Sequence, residues 1–284
     1  KKYINFKYII IAVLFSSIPA SASAATVYLE ASRNNLQVGD TAVIAVKINA
    51  DGAVLNTVEG TIALKSTSLN LVVQEFSLAN SSFGLWPRTP SLSNDARTIS
   101  FVGGIPGGFS IEGATMFKMI VEARKEGPMT ISPQNISVFL NDGKGTKVPV
   151  QTKDITINVV PKKSGIATQN DWAGVVSQDK TPPEDFIIVL GQDKNLFGGK
   201  KFAFFSSVDN QSGIDHYDVS ENGAPAVRSG STYVMQDQSE NVKLDVTAYD
   251  KAGNKKSASL SAPSSSPIVP IIIALVVIGI IIFI

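Results

Sequence analysis

Between residues 26 and 160 short β-rich runs follow one another, broken by Gly, Asn, Asp and Pro. The runs 27–31, 41–49, 54–65, 69–76, 98–102, 116–123, 129–132, 136–140 and 154–160 recur without any sustained 3.6-residue period. Segments of that length and spacing predict an all-β sandwich. Over 57–65, Val58, Gly60, Ile62 and Leu64 fall on one face, and Thr57, Glu59, Thr61, Ala63 and Lys65 on the other. One face therefore packs and the other meets water. Ile155, Ile157 and Val159 alternate with Thr156 and Asn158 in the same way. Val38-Gly39-Asp40, Ala50-Asp51-Gly52 and the Asp142-Gly143 pair supply turn chemistry between runs, with Gly free to take positive φ.

A second, smaller set of β runs, 186–190, 201–206, 216–220, 233–235 and 243–249, predicts another sandwich over 184–262. The two are joined by 161–183, which opens on Lys162-Lys163-Ser164-Gly165 and closes on Thr181-Pro182-Pro183, a linker composition stiffened at its exit by consecutive prolines. Trp172 lies inside this join, placed to dock on either neighbour.

Both ends differ from the middle. Lys1, Lys2 and Lys7 precede an apolar run from Tyr8 to Phe15 that is too short to span a bilayer, and Ala22-Ser23-Ala24 follows. That order of basic, apolar and small residues reads as a secretory signal peptide over 1–24. At the other end 268–284 is uncharged and rich in Ile and Val. As a helix rising about 1.5 Å per residue it reaches about 25 Å, so it is expected to be a C-terminal transmembrane helix, read here as truncated. Residues 257–267, with six Ser and two Pro, read as a flexible stalk whose end is 263–267.

Composition narrows the chemistry. There is no Cys and a single His, His216, among 284 residues, so neither a disulfide framework nor a thiolate or His-based metal cluster can be built. The formal net charge of +1 includes the three N-terminal lysines, so the remainder is mildly acidic. No basic run offers the counterion-releasing surface that nucleic acid requires. The Asp residues of the second module lack the D-x-[DN]-x-[DN]-G spacing of an EF-hand loop and read as turn residues; no metal and no cofactor are expected. Gly103 to Gly108 lacks the Lys-Ser/Thr of a phosphate-binding loop and reads as a bulge or tight loop. A Ser-His-Asp triad has only His216 to draw on, in a strand of the small module, and no motif marks a carboxylate pair for glycoside hydrolysis; no catalytic residue is assigned and the chain is not read as an enzyme.

Leu36-Gln37-Val38-Gly39-Asp40-Thr41 ahead of an aliphatic strand, Val58-Glu59-Gly60-Thr61-Ile62 leading to Leu69, Gly103-Gly104 with Gly107-Gly108-Phe109, Gly113 with Met116-Phe117 and Met119, and Leu140-Asn141-Asp142-Gly143 together resemble a cohesin domain over 25–160. The resemblance implies a jelly-roll β-sandwich related to cellulose-binding modules, non-catalytic, whose partner is a calcium-loaded dockerin module. It also implies that the strand through Thr57 and Glu59 contributes polar side chains to the partner face, although one cohesin class carries Asn and Asp there. Asp209, Ser212-Gly213-Ile214-Asp215, Tyr217-Asp218-Val219, Tyr233 and Val246 through Asn254 resemble the immunoglobulin-like or fibronectin-like modules of bacterial surface proteins.

The residues expected to touch a partner are Thr57, Glu59, Thr61 and Lys65, with a plain solvated sheet face as the competing reading. Trp86 in Phe83-Gly84-Leu85-Trp86-Pro87 joins them as a stacking platform for a sugar or an anchor for a protein, or else plugs the open end of the sandwich. The functional expectation is a membrane-anchored cell-surface protein with its bulk outside the cell, held by the C-terminal helix, whose cohesin-like module takes a dockerin-type protein or a polysaccharide and no nucleic acid. A structural envelope or adhesion stalk is the alternative.

Overall fold

The period-two runs become strands, and the strands close two separate cores. A computed structural model describes residues 24–66, 68–194 and 196–261. The signal peptide expected over 1–24 lies outside them except for Ala24, and so does the helix expected over 268–284. Among the described residues no helix is long and apolar enough to cross a membrane.

Along the first module run β1 (Ala25–Ala31), β2 (Asn35–Gln37), β3 (Thr41–Asn49), β4 (Leu55–Lys65), β5 (Leu71–Ser77), β6 (Leu85–Leu92), β7 (Thr98–Phe109), β8 (Ala114–Ala123), β9 (Gly127–Leu140), β10 (Lys147–Val148), β11 (Val150–Lys153) and β12 (Ile155–Val160). They form two sheets, one ordered β11-β1-β3-β8-β5 and the other β2-β12-β9-β4-β7-β6, with β10 on β9. Most pairs are antiparallel. The two parallel ones, β1 with β11 and β2 with β12, tie the start of the module to its end as the chain passes from one sheet to the other. Val27, Ile44, Val46, Val58, Ile62, Phe101, Phe117, Met119, Met129 and Val138 fill the space between the sheets. The alternation read over 57–65 holds: Val58, Ile62 and Leu64 are buried.

Two strands run further than their composition foretells. β7 continues through the Gly-rich segment to Phe109. Gly104 lies so close to the Asn56 carbonyl oxygen that a Cβ could not fit between the strands. β6, which none of the predicted runs covers, contains Pro87 and Pro90, but it is an edge strand, where a missing N–H costs no ladder bond.

The join holds a helix, α1 (Asp171–Gln178), which the period-two reading of the chain did not announce. Asn170 caps it by accepting a hydrogen bond from the Ala173 N–H at 2.8 Å. Beyond it come β13 (Ile188–Gln192), a 3₁₀ turn at Phe197–Gly199, β14 (Lys201–Phe205), β15 (Ile214–Glu221), β16 (Val227–Ser229), β17 (Thr232–Val234), β18 (Leu244–Asp250) and β19 (Lys255–Leu260). These make a three-stranded sheet, β13-β14-β17, and a four-stranded one, β16-β15-β18-β19. Phe205, Tyr217, Val219, Met235, Leu244 and Val246 pack between them. The stretch 257–260, read as the start of the stalk, is strand: Ala258 and Leu260 turn inward against the core while Ser257 and Ser259 stay outside. The serines occupy the solvent half of a period-two pattern, and for that reason the composition looked like coil.

Candidate binding surface

The sandwich of the first module has two outer faces, and the tertiary structure covers one of them. On the β3-β8-β5 side, Trp172 of α1 is buried against Ile120 and Ala79, with Val43 and Val176 beside them. Polar bonds fix this helix at its start. Arg33 donates to Asp171 at 3.0 Å, to Asp40 at 3.0 Å and to Gln169 at 2.7 Å. Asp40 in turn accepts from the Gln169 and Gln37 N–H groups. Burial pushes the Asp40 carboxyl up, but those two N–H bonds and the Arg33 guanidinium outweigh it and hold the group below the usual carboxylate range. The second module adds to the cover. Lys251 pairs with Glu75 of β5 and stands 5.9 Å from the Trp172 ring, and a Cβ on Gly213 would meet Ser77 and Ala79 at 3.2 and 3.3 Å.

The other outer face, that of β9-β4-β7-β6, is free among the described residues. Cross-strand register sets its rows, because directly opposed residues share a face. Arg88, Val102, Glu59 and Ser137 form one row; Ser91, Ser100, Thr61 and Gln134 form the next. Thr57 lies opposite Phe139, over whose ring Lys147 sits at 5.3 Å. Lys65 donates to Ser132 at 3.0 Å at the far end of β4, and Thr61 donates to the Gln134 carbonyl at 3.1 Å. The surface is thus flat, built of small hydroxyl residues, and carries a few separated charges.

A backbone irregularity shapes its centre. Between the Glu59–Ser137 and Thr61–Gln134 pairs β9 carries two residues against one, a β-bulge of Asn135 and Ile136 opposite Gly60. Asn135 takes φ 50°, a left-handed conformation that Asn tolerates well. The Ile136 side chain occupies the space in which a Cβ of residue 60 would sit. The result is a shallow depression of about 190 Å³ lined by Glu59, Gly60, Thr61, Arg88, Ser100 and Asn135, among others. Glu59 and Arg88 make no ion pair with each other or with any other described residue, so both are available to a partner.

Four of the five residues expected at a partner surface, Thr57, Glu59, Thr61 and Lys65, therefore share β4 and this face. Trp86 does not join them. Its ring turns into the sandwich, 5.6 Å from Phe83 and 6.2 Å from Phe117, and its indole N–H donates to the Phe83 carbonyl at 3.2 Å. Gly103 makes room for it, since a Cβ there would lie 2.6 Å from the ring. Packing energy places it inside, where its large apolar area is removed from water. Arg88 and the Asn135 bulge are what sequence reading missed: Arg88 sits among prolines, and a bulge is a property of pairing that one strand's pattern does not carry.

A second polar cluster lies where the modules meet. Asp179, Asp209 and Asp250, all buried, bring one oxygen each within 4.8 Å of one another. An all-oxygen set of that kind suits a hard divalent cation in type. Their oxygens are, however, already engaged: Asp179 accepts from the Ser212 N–H and hydroxyl, Asp209 from the Ser212 and Gly213 N–H groups, and Asp250 from Asn254. Burial pushes the Asp209 carboxyl up, and its two neighbouring carboxylates add to that against its hydrogen bonds. Burial also acts upward on Asp179, but the Ser212 hydroxyl and the N–H groups of Thr181 and Ser212 prevail and lower it.

His216, the lone imidazole, is half-buried in β15 and stacked on Tyr249 at 4.8 Å. Nδ1 lies 2.6 Å from Asp215 and Nε2 lies 3.1 Å from an Arg228 nitrogen, so both ring nitrogens are engaged within the sheet.

No protein-family model matches the chain, and no curated protein matches it. Solved structures do. The chain is similar to the seventh ScaB type I cohesin from Pseudobacteroides cellulosolvens, at 14% identity, covering 51% of this chain and 98% of that one, with a TM-score of 0.42. It is similar to a non-cellulosomal cohesin from the archaeon Archaeoglobus fulgidus, at 16% identity over 48% of this chain and 91% of that one, TM-score 0.38. A third is the cohesin module of a family 33 glycoside hydrolase from Clostridium perfringens, at 9% identity over 49% of this chain and 99% of that one, TM-score 0.42.

Proposed function

We propose that the chain is a binding protein of the cell surface, in which the first module offers the β9-β4-β7-β6 face to a protein of dockerin type. The second module, immunoglobulin-like in this reading, and the apolar segment 268–284 hold that face away from a membrane. The observation that carries the reading is the division of the first sandwich into one face occupied by α1 and the second module and one flat, polar face left open around Glu59 and Arg88. The partner class comes from the resemblance of the landmark residues between Leu36 and Gly143 to cohesins. Separated charges on a field of hydroxyls favour a protein partner that supplies complementary charges and fixed hydrogen bonds. A polysaccharide would want an exposed aromatic platform, and the inward turn of Trp86 removes the one that sequence offered.

The test is titration of the full chain, in detergent, against dockerin modules and against cellulose, chitin and peptidoglycan. Binding to a dockerin that weakens about tenfold or more in Glu59→Arg, which reverses the charge in the row it shares with Arg88, supports the reading. Binding unchanged by Glu59→Arg and Thr61→Arg moves the site off this face. No binding to any of these probes leaves the stalk reading, which the docked join between the modules favours, in possession.

A further inference from the structure

The second module has two ends, and the strand registers identify what lies at each. Ile214 pairs with Asp250, the Lys251 N–H donates to the Gly213 carbonyl, and Gly213 abuts Ser77 and Ala79, so this end is the joint with the first module. At the opposite end Gln192 pairs with Lys201, and the described residues between them, 193, 194 and 196–200, lie beyond that last pair. The Met235 N–H donates to the Lys201 carbonyl, and Glu221 accepts from the Gln236 and Asp237 N–H groups. Glu221 is level with Leu244, and Leu244 with Leu260, the last residue of β19. The chain therefore leaves the second module at the same end that carries residues 196–200.

That tip is unlike an ordinary surface turn. Leu196 and Phe197 are 45% and 46% exposed, side by side, with Phe202 edge-on to the Phe197 ring at 5.0 Å. Phe197 has φ 49°, a conformation bulky residues rarely take, and Gly198 and Gly199 continue at φ 65° and 77°. The backbone is thus bent so that a Phe ring projects where burial would normally claim it. Lys194 and Lys200 flank the pair, exposed and without an ion pair among the described residues.

We propose that this tip is a membrane-contact site, in which Leu196 and Phe197 enter the headgroup region of the bilayer between two lysines. The proposal rests on the reading of 268–284 as an anchor. From Ser261 only residues 262–267 precede that apolar run, at most about 22 Å at full extension, so the anchor would keep this end of the module within that distance of the bilayer surface. An exposed aromatic and a Leu between cations match the interfacial region in kind, with apolar groups below and ammonium groups at the phosphates.

The absence of cysteine makes the test clean. Leu196→Cys in the full chain, labelled with an environment-sensitive fluorophore, is reconstituted into phosphatidylcholine vesicles, with and without phosphatidylglycerol, that carry headgroup spin-labelled lipid. Lys255→Cys, at the joint end of β19, serves as the control. The Leu196 label is expected to be quenched at least about twofold more than the control, and Phe197→Asn, which keeps the left-handed conformation accessible, to reduce the difference. Equal quenching at the two positions, in chains that float with the vesicles, overturns the proposal, including the case in which a second copy of the chain covers the tip. Chains that fail to float overturn the anchor reading itself, and the tip proposal falls with it.

Discussion

At the scale of single residues, the absence of a side chain at position 60 makes room on the inner side of the sheet for Ile136 of the bulge. Ile136 fills the space beside Gly60, so Gly60→Val overpacks the bulge, and denaturant titration is expected to show a loss of about 1–3 kcal/mol. Restoring room with Ile136→Ala in the same chain should recover part of that loss, which a nonspecific effect of Val would not. The joint carboxylates make a second prediction, with opposite signs for two chemically identical residues. Asp179 is lowered in the fold, so its charged form adds stability above the usual carboxylate pKa, and that contribution is lost as pH falls through the lowered value. Asp209 is raised, so its charged form opposes folding at neutral pH and the opposition is relieved as pH falls through the raised value. Asp179→Asn is therefore expected to destabilise at pH 7 by about 1–3 kcal/mol. Asp209→Asn, whose amide oxygen can still accept the Gly213 N–H, is expected to be neutral or stabilising. Equal losses in both would refute the electrostatic account.

At the scale of elements, α1 is eight residues long and owes its helicity to docking, since isolated helices of that length are marginal in water. Trp172 supplies most of the docked apolar surface. In a Trp86→Phe background, where Trp172 is the sole indole, its near-ultraviolet circular dichroism is expected to hold through the usual carboxylate range and to fade only at more acid pH, as Asp40, held below that range, is protonated and the acceptor that ties Gln169 and Arg33 to the sheet is lost. A signal unchanged to pH 2 would assign the docking to apolar contact alone. Elements also mark where sequence reading succeeds. β3 and β8 alternate or run apolar for their whole length and were legible. β6, with its prolines, and β19, with its serines, were not, because an edge position and a solvent-facing half-strand place no apolar demand on the chain. In α1 the apolar positions Trp172, Val175 and Val176 are too few to set a period, and only the partner surface gives them meaning.

At the scale of the whole molecule, the joint couples two cores that are otherwise self-contained. The Trp172 contact, the Lys251–Glu75 pair and the Asp179–Ser212 bonds all cross from one unit to the next or brace the segment between them. Calorimetry of the full chain is expected to show the modules melting together, and Trp172→Ala with Lys251→Ala to resolve two transitions. Independent melting in the unchanged chain would mean that the joint carries little free energy. The same joint decides which sheet of the first module is left open, and so ties the fold to the proposed recognition.

The sequence by itself determined the β class, the inward and outward sides of β4, and the poverty in reactive groups, because each follows from local alternation or from counting residues. It did not determine that α1 and the second module cover the β3-β8-β5 face, that Trp86 turns inward, that Arg88 stands in the same row as Glu59 across Val102, or that residues 196 and 197 share an end with the departing chain. Those depend on pairing register and on which surfaces meet across more than a hundred residues. Only the folded chain, where burial of one face competes with burial of another, settles them.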